Sequence, residues 1–166
     1  MGSVYTVIAS IIAAVASVIA TIVVVLQGKK NRKLTSIINY KINSLDVTVK
    51  LVSEMLSNHW KLIDLYTKDR TGIITEEEQR ERMVTVQKSM TLAFQTNINI
   101  NYKNSFSEEL CDVINELQIE KEKLYSIEDD VAFFKADHTL NEPVNNIIVT
   151  MKRYVEDEWR MINKEL

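Results

Sequence analysis

Hydrophobic positions in this chain form one unbroken block followed by four periodic stretches. The block covers residues 4–26, which are 23 positions without a charge, and the next charged residues are all basic: Lys29, Lys30, Arg32 and Lys33. A helix of this length rises roughly 35 Å, which is enough to cross a hydrocarbon core of about 30 Å. The pattern predicts a transmembrane helix in residues 1–28, a basic juxtamembrane segment at 29–33 and a separate domain at 34–166.

The flanking charges predict the orientation of this helix. No Lys or Arg precedes the block, so the positive-inside bias comes from residues 29–33, and it places residues 34–166 in the cytoplasm with the N-terminus outside. A cleaved secretory signal peptide is the alternative. It fits less well, because the chain has no basic n-region, the apolar run exceeds the usual length of about 7 to 15 residues, and four cations follow where a cleavage site is expected. We predict a single-pass membrane protein.

The stretch after the basic segment has the spacing of one long helix, predicted from Leu34 to Lys68 and ended by residues 69–72. Its apolar positions alternate every four and three residues and form a heptad seam in which His59 is the one polar member. The seam consists of Ile38, Ile42, Leu45, Val49, Val52, Leu56, His59, Ile63 and Tyr66.

A capping box at Thr75–Glu78 opens the second predicted helix, whose apolar stripe is Met83, Val86, Met90 and Phe94. This helix fades in the Asn-rich residues 97–105, which most resemble a linker. Ser105 or Ser107 is the predicted cap of a third helix of about 30 residues. Its stripe, with Lys121 as the polar interruption, is Leu110, Ile114, Leu117, Lys121, Leu124, Ile127, Val131 and Phe134.

The fourth predicted helix is capped by Asn141 and has Pro143 in its first turn, where the missing N–H costs no hydrogen bond. Its predicted buried side is Val144, Ile148, Met151, Val155, Trp159 and Ile162. Four amphipathic helices with short connections predict an antiparallel bundle, in which helices 1 and 3 are the longer ones. The predicted fold class is therefore all-α, with a single N-terminal transmembrane helix followed by an antiparallel four-helix cytoplasmic bundle.

The distribution of charge and the cysteine content limit the kinds of binding partner and cross-link that we expect for this chain. Residues 34–166 hold 16 Lys and Arg against 23 Asp and Glu, a net charge of -7, which disfavours direct nucleic-acid binding. The basic segment Lys29, Lys30, Arg32 and Lys33 suits anionic lipid head groups. Cys111 is the one cysteine, so no intrachain disulfide is possible, and we expect it to act as a small buried hydrophobe.

Hydroxyl side chains line one face of the predicted transmembrane helix. Thr6, Ser10, Ser17 and Thr21 are separated by 4, 7 and 4 residues, and Ala13 and Ala14 lie in the gap. Small and hydroxyl residues allow close helix association in membranes, and in a larger oligomer the same face can line an aqueous pore. The alternative is a lone anchor in which these hydroxyls bond to their own helix carbonyls.

No arrangement of residues predicts an enzyme, a cofactor or a metal site. Bundles that bind a di-iron centre need Glu-x-x-His pairs, whereas Leu56 precedes His59 and Lys135 precedes His138 at that spacing. Phosphate-loop and nucleophile-elbow motifs are absent. We expect His59 to be a hydrogen-bonded histidine of a packing layer and His138 a turn residue.

The overall layout resembles small membrane proteins of bacterial antiphage defence. The features that carry the resemblance are an N-terminal helix rich in Ile, Ala, Ser and Val, the basic stop, and a helical domain ending in Glu158, Trp159, Arg160 and Lys164. The chain is most similar to the accessory membrane protein of RNA-targeting CRISPR systems. This resemblance implies a HEPN-like helical fold and assembly into a ring-shaped pore. No catalytic residue follows from it, because no Arg lies a few residues before either His.

The leading functional hypothesis is a homo-oligomeric membrane protein that forms a pore and permeabilises or depolarises the inner membrane, as an antiphage defence effector. Its expected partners are the lipid bilayer, further copies of the chain, and a cytosolic protein or defence complex. The alternative is a membrane-anchored helical adaptor that recruits a cytosolic partner without forming a pore.

Overall fold

A computed structural model describes residues 32–164, with only the backbone described for 32–34 and 137–138. These residues form five α-helices and one short 3-10 helix, and no strand occurs among them. The elements are α1 (Arg32–Arg70), α2 (Glu76–Asn99), α3 (Ser107–Tyr125), α4 (Asp130–Ala136), the 3-10 helix (Asp137–Leu140) and α5 (Asn141–Lys164). The predicted all-α class is confirmed for this part of the chain.

The predicted transmembrane helix, residues 1–28, lies outside the described residues. Between residues 32 and 164, no helix combines the length and the hydropathy that crossing a bilayer requires.

The four long helices run up, down, up and down. Along α1 and α2, Lys68 pairs with Glu78, Asn58 with Thr85, and Thr48 with Asn99. The residue numbers of the contacts decrease along α1 as they increase along α2. Glu109 of α3 contacts Thr150 and Arg153 of α5, while Asn104, just before α3, contacts Glu158. Both pairs of helices are therefore antiparallel, as the short connections predicted.

The seam of α1 is buried as predicted from its heptad spacing. Every predicted member from Ile38 to Ile63 is buried, His59 included, and Tyr66 is half-buried. Met55, Leu62 and Leu65 extend the buried side of α1. This side packs with apolar residues of α3 and α5 in one continuous core, which includes Leu110, Ile114, Leu117, Ile147, Tyr154 and Ile162.

The connection between α1 and α2 uses two local signals that the sequence shows. Gly72 has a φ of 69°, and the N–H of Ile73 donates to the Lys68 carbonyl (3.1 Å), which closes the end of α1. Thr75 and Glu78 form the predicted capping box at the start of α2. Hydrogen bonds from Lys68 and from Thr75 lower the pKa of Glu78 to about 2.

The prediction of one helix of about 30 residues after Ser107 is wrong. The helix stops at Tyr125, and α4 begins only at Asp130, so α3 is the shortest of the four long helices rather than one of the longer two. The guanidinium of Arg70, at the end of α1, donates to the carbonyl oxygens of Ile127 and Glu128 and to Asp130, and it lies 5.1 Å from the ring centroid of Phe133. A side chain distant in sequence thus satisfies carbonyls that a continuous helix would have used itself.

The break changes which residues are buried at this end of the bundle. Phe133 is completely buried, whereas the predicted members Val131 and Phe134 are exposed. The predicted serine caps are also wrong, because the N-cap of α3 is Phe106, which makes no side-chain cap hydrogen bond. Pro143 lies in the first turn of α5 as expected, and Ile147 replaces the half-buried Ile148 on its buried side.

The predicted buried stripe of α2 lies mostly on the solvent side. Met83, Met90 and Phe94 are each more than half exposed, and Val86 is half-buried. The side of α2 that faces the bundle consists of the small or medium residues Thr85, Ser89, Leu92, Ala93 and Thr96. Small side chains here permit close packing on α1, and the hydroxyls of Thr85 and Thr96 bond to carbonyls of their own helix.

Arg70→Ala is expected to destabilise the bundle by about 2 kcal/mol, because it leaves two turn carbonyls without their charged donor. For a domain of this size that corresponds to a fall in melting temperature of roughly 6 °C, measured by circular dichroism on the full-length chain in mild detergent. Arg80→Ala is the matched control, since the Arg80 side chain is 79% exposed and its ion pair with Glu76 is 4.0 Å long. Equal melting temperatures for the two variants would contradict this role of Arg70.

Candidate functional site

The residues predicted to form a pore or association face, Thr6, Ser10, Ala13, Ala14, Ser17 and Thr21, lie outside the described part of the chain. The same holds for Lys29 and Lys30 of the predicted lipid contact. Arg32 and Lys33 fall in the first turn of α1, where only the backbone is described. The pore face and the lipid contact therefore remain predictions. Within the described residues, three features of the bundle are candidate sites.

The first feature is a polar layer between α1, α2 and α3. His59 and Lys121, the polar interruptions of the two predicted seams, are both buried. Lys121 donates from Nζ to Oγ of Ser89 (2.5 Å), which joins α3 to the inner side of α2. The imidazole of His59 meets the ring of its neighbour Trp60 edge to face, with ring centroids 5.2 Å apart. The sequence predicted both interruptions, and the fold brings them into one layer.

Burial favours the neutral forms of both basic side chains. Desolvation lowers the pKa of Lys121 to about 8. Desolvation, and then the nearby charge of Lys121, lower the pKa of His59 to about 3. The expected hydrogen bond of His59 is not found, because neither ring nitrogen has a partner among the described residues. Unsatisfied buried polar groups lower the stability of a fold. The surrounding apolar packing therefore has to compensate for the cost of burying His59.

The layer has little access to a substrate. Lys121 is 3% exposed and His59 is fully covered. In the described range, no group of three or more His, Cys, Asp or Glu residues is placed to hold a metal ion. A buried, neutral His beside a Lys of lowered pKa predicts that the stability of this packing depends on pH. We therefore interpret the layer as a structural feature with a titratable component.

The second feature is a hydrogen-bonded cluster at the other end of α3. Asn101 donates from Nδ2 to Glu158 (2.8 Å), and Asn104 donates to Glu158 (3.1 Å) and to the Tyr154 carbonyl (2.8 Å). The N–H of Ser105 donates to the Asp157 carboxylate (2.9 Å). Burial raises the pKa of Glu158, although both Asn side chains oppose this. The Asn-rich stretch that resembled a linker is instead fixed to α5 by its side chains.

The third feature is the outer face of α2. Met83, Val84, Met90, Phe94 and Ile98 are each 61–67% exposed. Successive residues of a helix are 100° apart, so these five positions lie within about 120° of one another. No charged residue occurs from Ser89 to Tyr102. Met83 and Val84 precede this uncharged run. A cluster of large, exposed apolar side chains is typical of a contact site rather than of a solvated surface. We refer to these five residues as the outer face of α2.

The outer face of α2 was missed at the sequence level because its spacing is that of a core stripe. The signal that distinguishes it is the second stripe of Thr, Ser and Ala on the opposite side, which suits a helix packed closely on a neighbour. Cys111, expected to be buried, is half-buried on α3, and partial desolvation raises the pKa of its thiol.

Comparisons with known proteins add no relative. Neither a protein-family model, a curated protein nor a solved structure matches this chain. The resemblance to membrane proteins of antiphage defence, and the HEPN-like kinship that it implies, stay hypotheses.

Lys121→Met is expected to remove a pH dependence of stability. The folded pKa of about 8 lies below the unfolded value of 10.5, so the folded state loses its proton first. Wild-type stability should therefore rise as the pH increases from 8 to 10.5, by up to about 3 kcal/mol. The measurement is the melting temperature of the full-length chain at pH 7 and pH 10, taken relative to Lys121→Met, which is also expected to melt higher at pH 7.

Lys88→Met is the matched control, because Lys88 is an exposed lysine on α2. This variant should keep the wild-type pH dependence. A wild-type curve that runs parallel to that of Lys121→Met over this pH range would show that Lys121 carries no buried charge at neutral pH.

Proposed function

We propose that this chain is a homo-oligomeric, single-pass membrane protein whose N-terminal helices line a pore, and that it permeabilises or depolarises the bacterial inner membrane. The observation that carries the proposal is the N-terminal sequence. It has 23 uncharged positions, a stripe of four hydroxyl residues at helical spacing, and a basic stop directly after them.

The spacing of the hydroxyl stripe is the reason for a pore rather than an anchor alone. Thr6, Ser10, Ser17 and Thr21 fall on one side of a helix, separated by one or two turns each. A lone anchor has no need to gather its hydroxyls on one side. Rings of hydroxyls from several copies can hydrogen-bond to water without presenting a charge barrier.

The start of α1 supports a mechanical link between the bundle and the membrane. The described part of this helix starts at Arg32, within the basic segment, and its 39 residues are about 58 Å long. Its buried seam couples the helix to the rest of the bundle. A change in the bundle can therefore act on the predicted membrane helix through α1, which suits a pore controlled by its cytoplasmic domain.

A role as an antiphage defence effector rests on the resemblance in layout. In that role the bundle is the part that receives the activating signal, and the membrane helices are the part that acts. The activity proposed for the effector is ion conduction, with no enzymatic step.

The second candidate is a membrane-anchored adaptor, and the outer face of α2 favours it. An exposed apolar face on a cytoplasmic helix can bind an amphipathic helix of another protein. In that case the N-terminal helix serves as an anchor only, and its hydroxyl residues have no task beyond their own helix.

The test is the ion conductance of full-length protein reconstituted in liposomes. The double substitution Ser10→Leu with Ser17→Leu is expected to reduce dye or ion leakage at least tenfold, because two leucine rings close an aqueous path. The matched control, Ile11→Leu with Val18→Leu, changes neighbouring positions off the hydroxyl face and should keep wild-type leakage. Leakage that is equal in the two double variants, or absent from the wild type, would overturn the pore.

A further inference from the structure

We propose that the interface between α2 and α3 opens and closes with the charge of Lys121. In the closed state the Lys121 side chain is uncharged and bound to Ser89. A proton on its amino group favours an open state in which water reaches the polar layer. The proposal concerns the bundle alone, and it goes beyond the proposed function because it does not depend on whether the N-terminal helices conduct.

Helix α2 is fixed more firmly to α1 than to α3. Towards α3, Lys121 donates to Ser89 (2.5 Å), and Asn97 donates to Asn115 over 3.5 Å at an exposed position. Opening is therefore expected between α2 and α3, with α2 remaining on α1. The contacts from α1 to α2 are those of Thr48 with Asn99, Asn58 with Thr85, Lys61 with Glu81, Lys68 with Glu78 and Asp69 with Arg82.

The buried side of α2 has little apolar surface that opposes opening. Among the described residues of this helix, Leu92 and Ala93 are the members of the hydrophobic core. The other buried residues of α2 carry hydroxyl groups: Thr85, Ser89 and Thr96. Elements with few buried apolar contacts separate from a fold at a lower free energy than global unfolding requires. The side of α2 that faces the layer is therefore suited to local opening.

A protonated Lys121 is poorly satisfied in the closed interface. Its ammonium group has three donors, whereas its side chain is 3% exposed and donates to the uncharged hydroxyl of Ser89. Glu122, whose charge favours the ammonium, is the next residue along α3 and is exposed. Separation of α2 from α3 lets water hydrate the ammonium, which removes the cost of burying the charge.

The buried lysine is the group of the layer that changes charge near neutral pH. Helix α1 contributes His59, which stays neutral because burial, and then the lysine's charge, lower its pKa to about 3. Helix α2 contributes Ser89, which is not titratable, and on α3 the charge of Glu122 acts on the lysine. Tyr125, four residues after the lysine, stacks on Tyr66 of α1 with ring centroids 3.9 Å apart. Among the described residues, no charge on α4 or α5 acts on the histidine or the lysine.

Opening is expected to be most frequent below about pH 8. In the closed state the pKa of Lys121 is about 8, whereas a hydrated lysine in the open state has the ordinary value of 10.5. The open state therefore binds the proton more tightly, and the ratio of open to closed molecules falls as the pH rises from 8 to 10.5. From pH 7 to pH 9 the expected decrease is roughly tenfold.

Thiol labelling measures this opening. Ala93→Cys, in a Cys111→Ser background, places a thiol on the buried side of α2, between Ser89 and Asn97 around the helix and thus towards α3. The full-length chain in mild detergent is labelled with methyl methanethiosulfonate at pH 7 and pH 9. Each rate is divided by that of Thr91→Cys, an exposed position on α2, to correct for ionisation of the thiol.

The corrected rate of Ala93→Cys is expected to fall roughly tenfold from pH 7 to pH 9, and adding Lys121→Met should abolish this fall. Val144→Cys, a buried position on α5, is the matched control for global unfolding. We expect it to react at least tenfold more slowly than Ala93→Cys at pH 7. Ser89→Ala keeps the lysine and removes its acceptor, so labelling at pH 9 should become about fivefold faster.

Three results would overturn the proposal. Equal rates for Ala93→Cys and Val144→Cys would show that the thiol is reached through global unfolding, without a separate opening of this interface. A corrected rate that does not change with pH, or a fall that persists with Lys121→Met, would show that Lys121 does not control the opening. If Lys121→Met does not fold, Ser89→Ala decides this point, since an unchanged rate at pH 9 would remove the role of the bond between Lys121 and Ser89.

Discussion

The buried side of α1 is the surface on which the rest of this bundle packs. From Ile38 to Ile63 it presents a continuous seam, and the cores of α3 and α5 close against it while α2 lies alongside. Burial of apolar area of this kind is the main favourable contribution to folding. Because the seam is unbroken over most of a helix of 39 residues, it contributes to the core along most of the length of α1.

Polar groups adjust how the other helices sit on this seam. Arg70 holds the turn after α3, Lys121 reaches across to Ser89, and Asn101 and Asn104 bind Glu158. Each of these contacts joins residues more than thirty positions apart, and Lys121 and Glu158 are nearly fully buried. Each contact fixes one helix or turn against another. His59 and the indole N–H of Trp159 differ from these groups, since both are buried without a hydrogen-bond partner among the described residues.

Features governed by neighbouring residues could be predicted from the sequence. The extent of α1, its seam, the capping box at Thr75 and the first turn of α5 at Pro143 all depend on local spacing and local hydrogen bonds. The break after Tyr125 could not be predicted in this way, because the group that stabilises it is a guanidinium 57 to 60 positions earlier. The buried side of α2 was misassigned for a related reason: periodicity identifies two faces, and only the close approach of α1 selects the one with Thr, Ser and Ala.

The candidate sites can also be divided into those visible in the sequence and those that depend on tertiary contacts. His59 and Lys121 were visible as interruptions of two seams, but their meeting in one layer depends on the bundle. The hydroxyl face of the N-terminal helix rests on sequence spacing, and the outer face of α2 on the bundle's geometry.

The most direct test of this account is the mass of the full-length chain in mild detergent, measured by light scattering beside residues 34–166 alone. The account predicts a closed assembly of at least about five chains for the full-length protein, and a smaller species once the N-terminal segment is removed. A full-length protein that remains a monomer or a dimer would contradict the pore and favour the anchored adaptor.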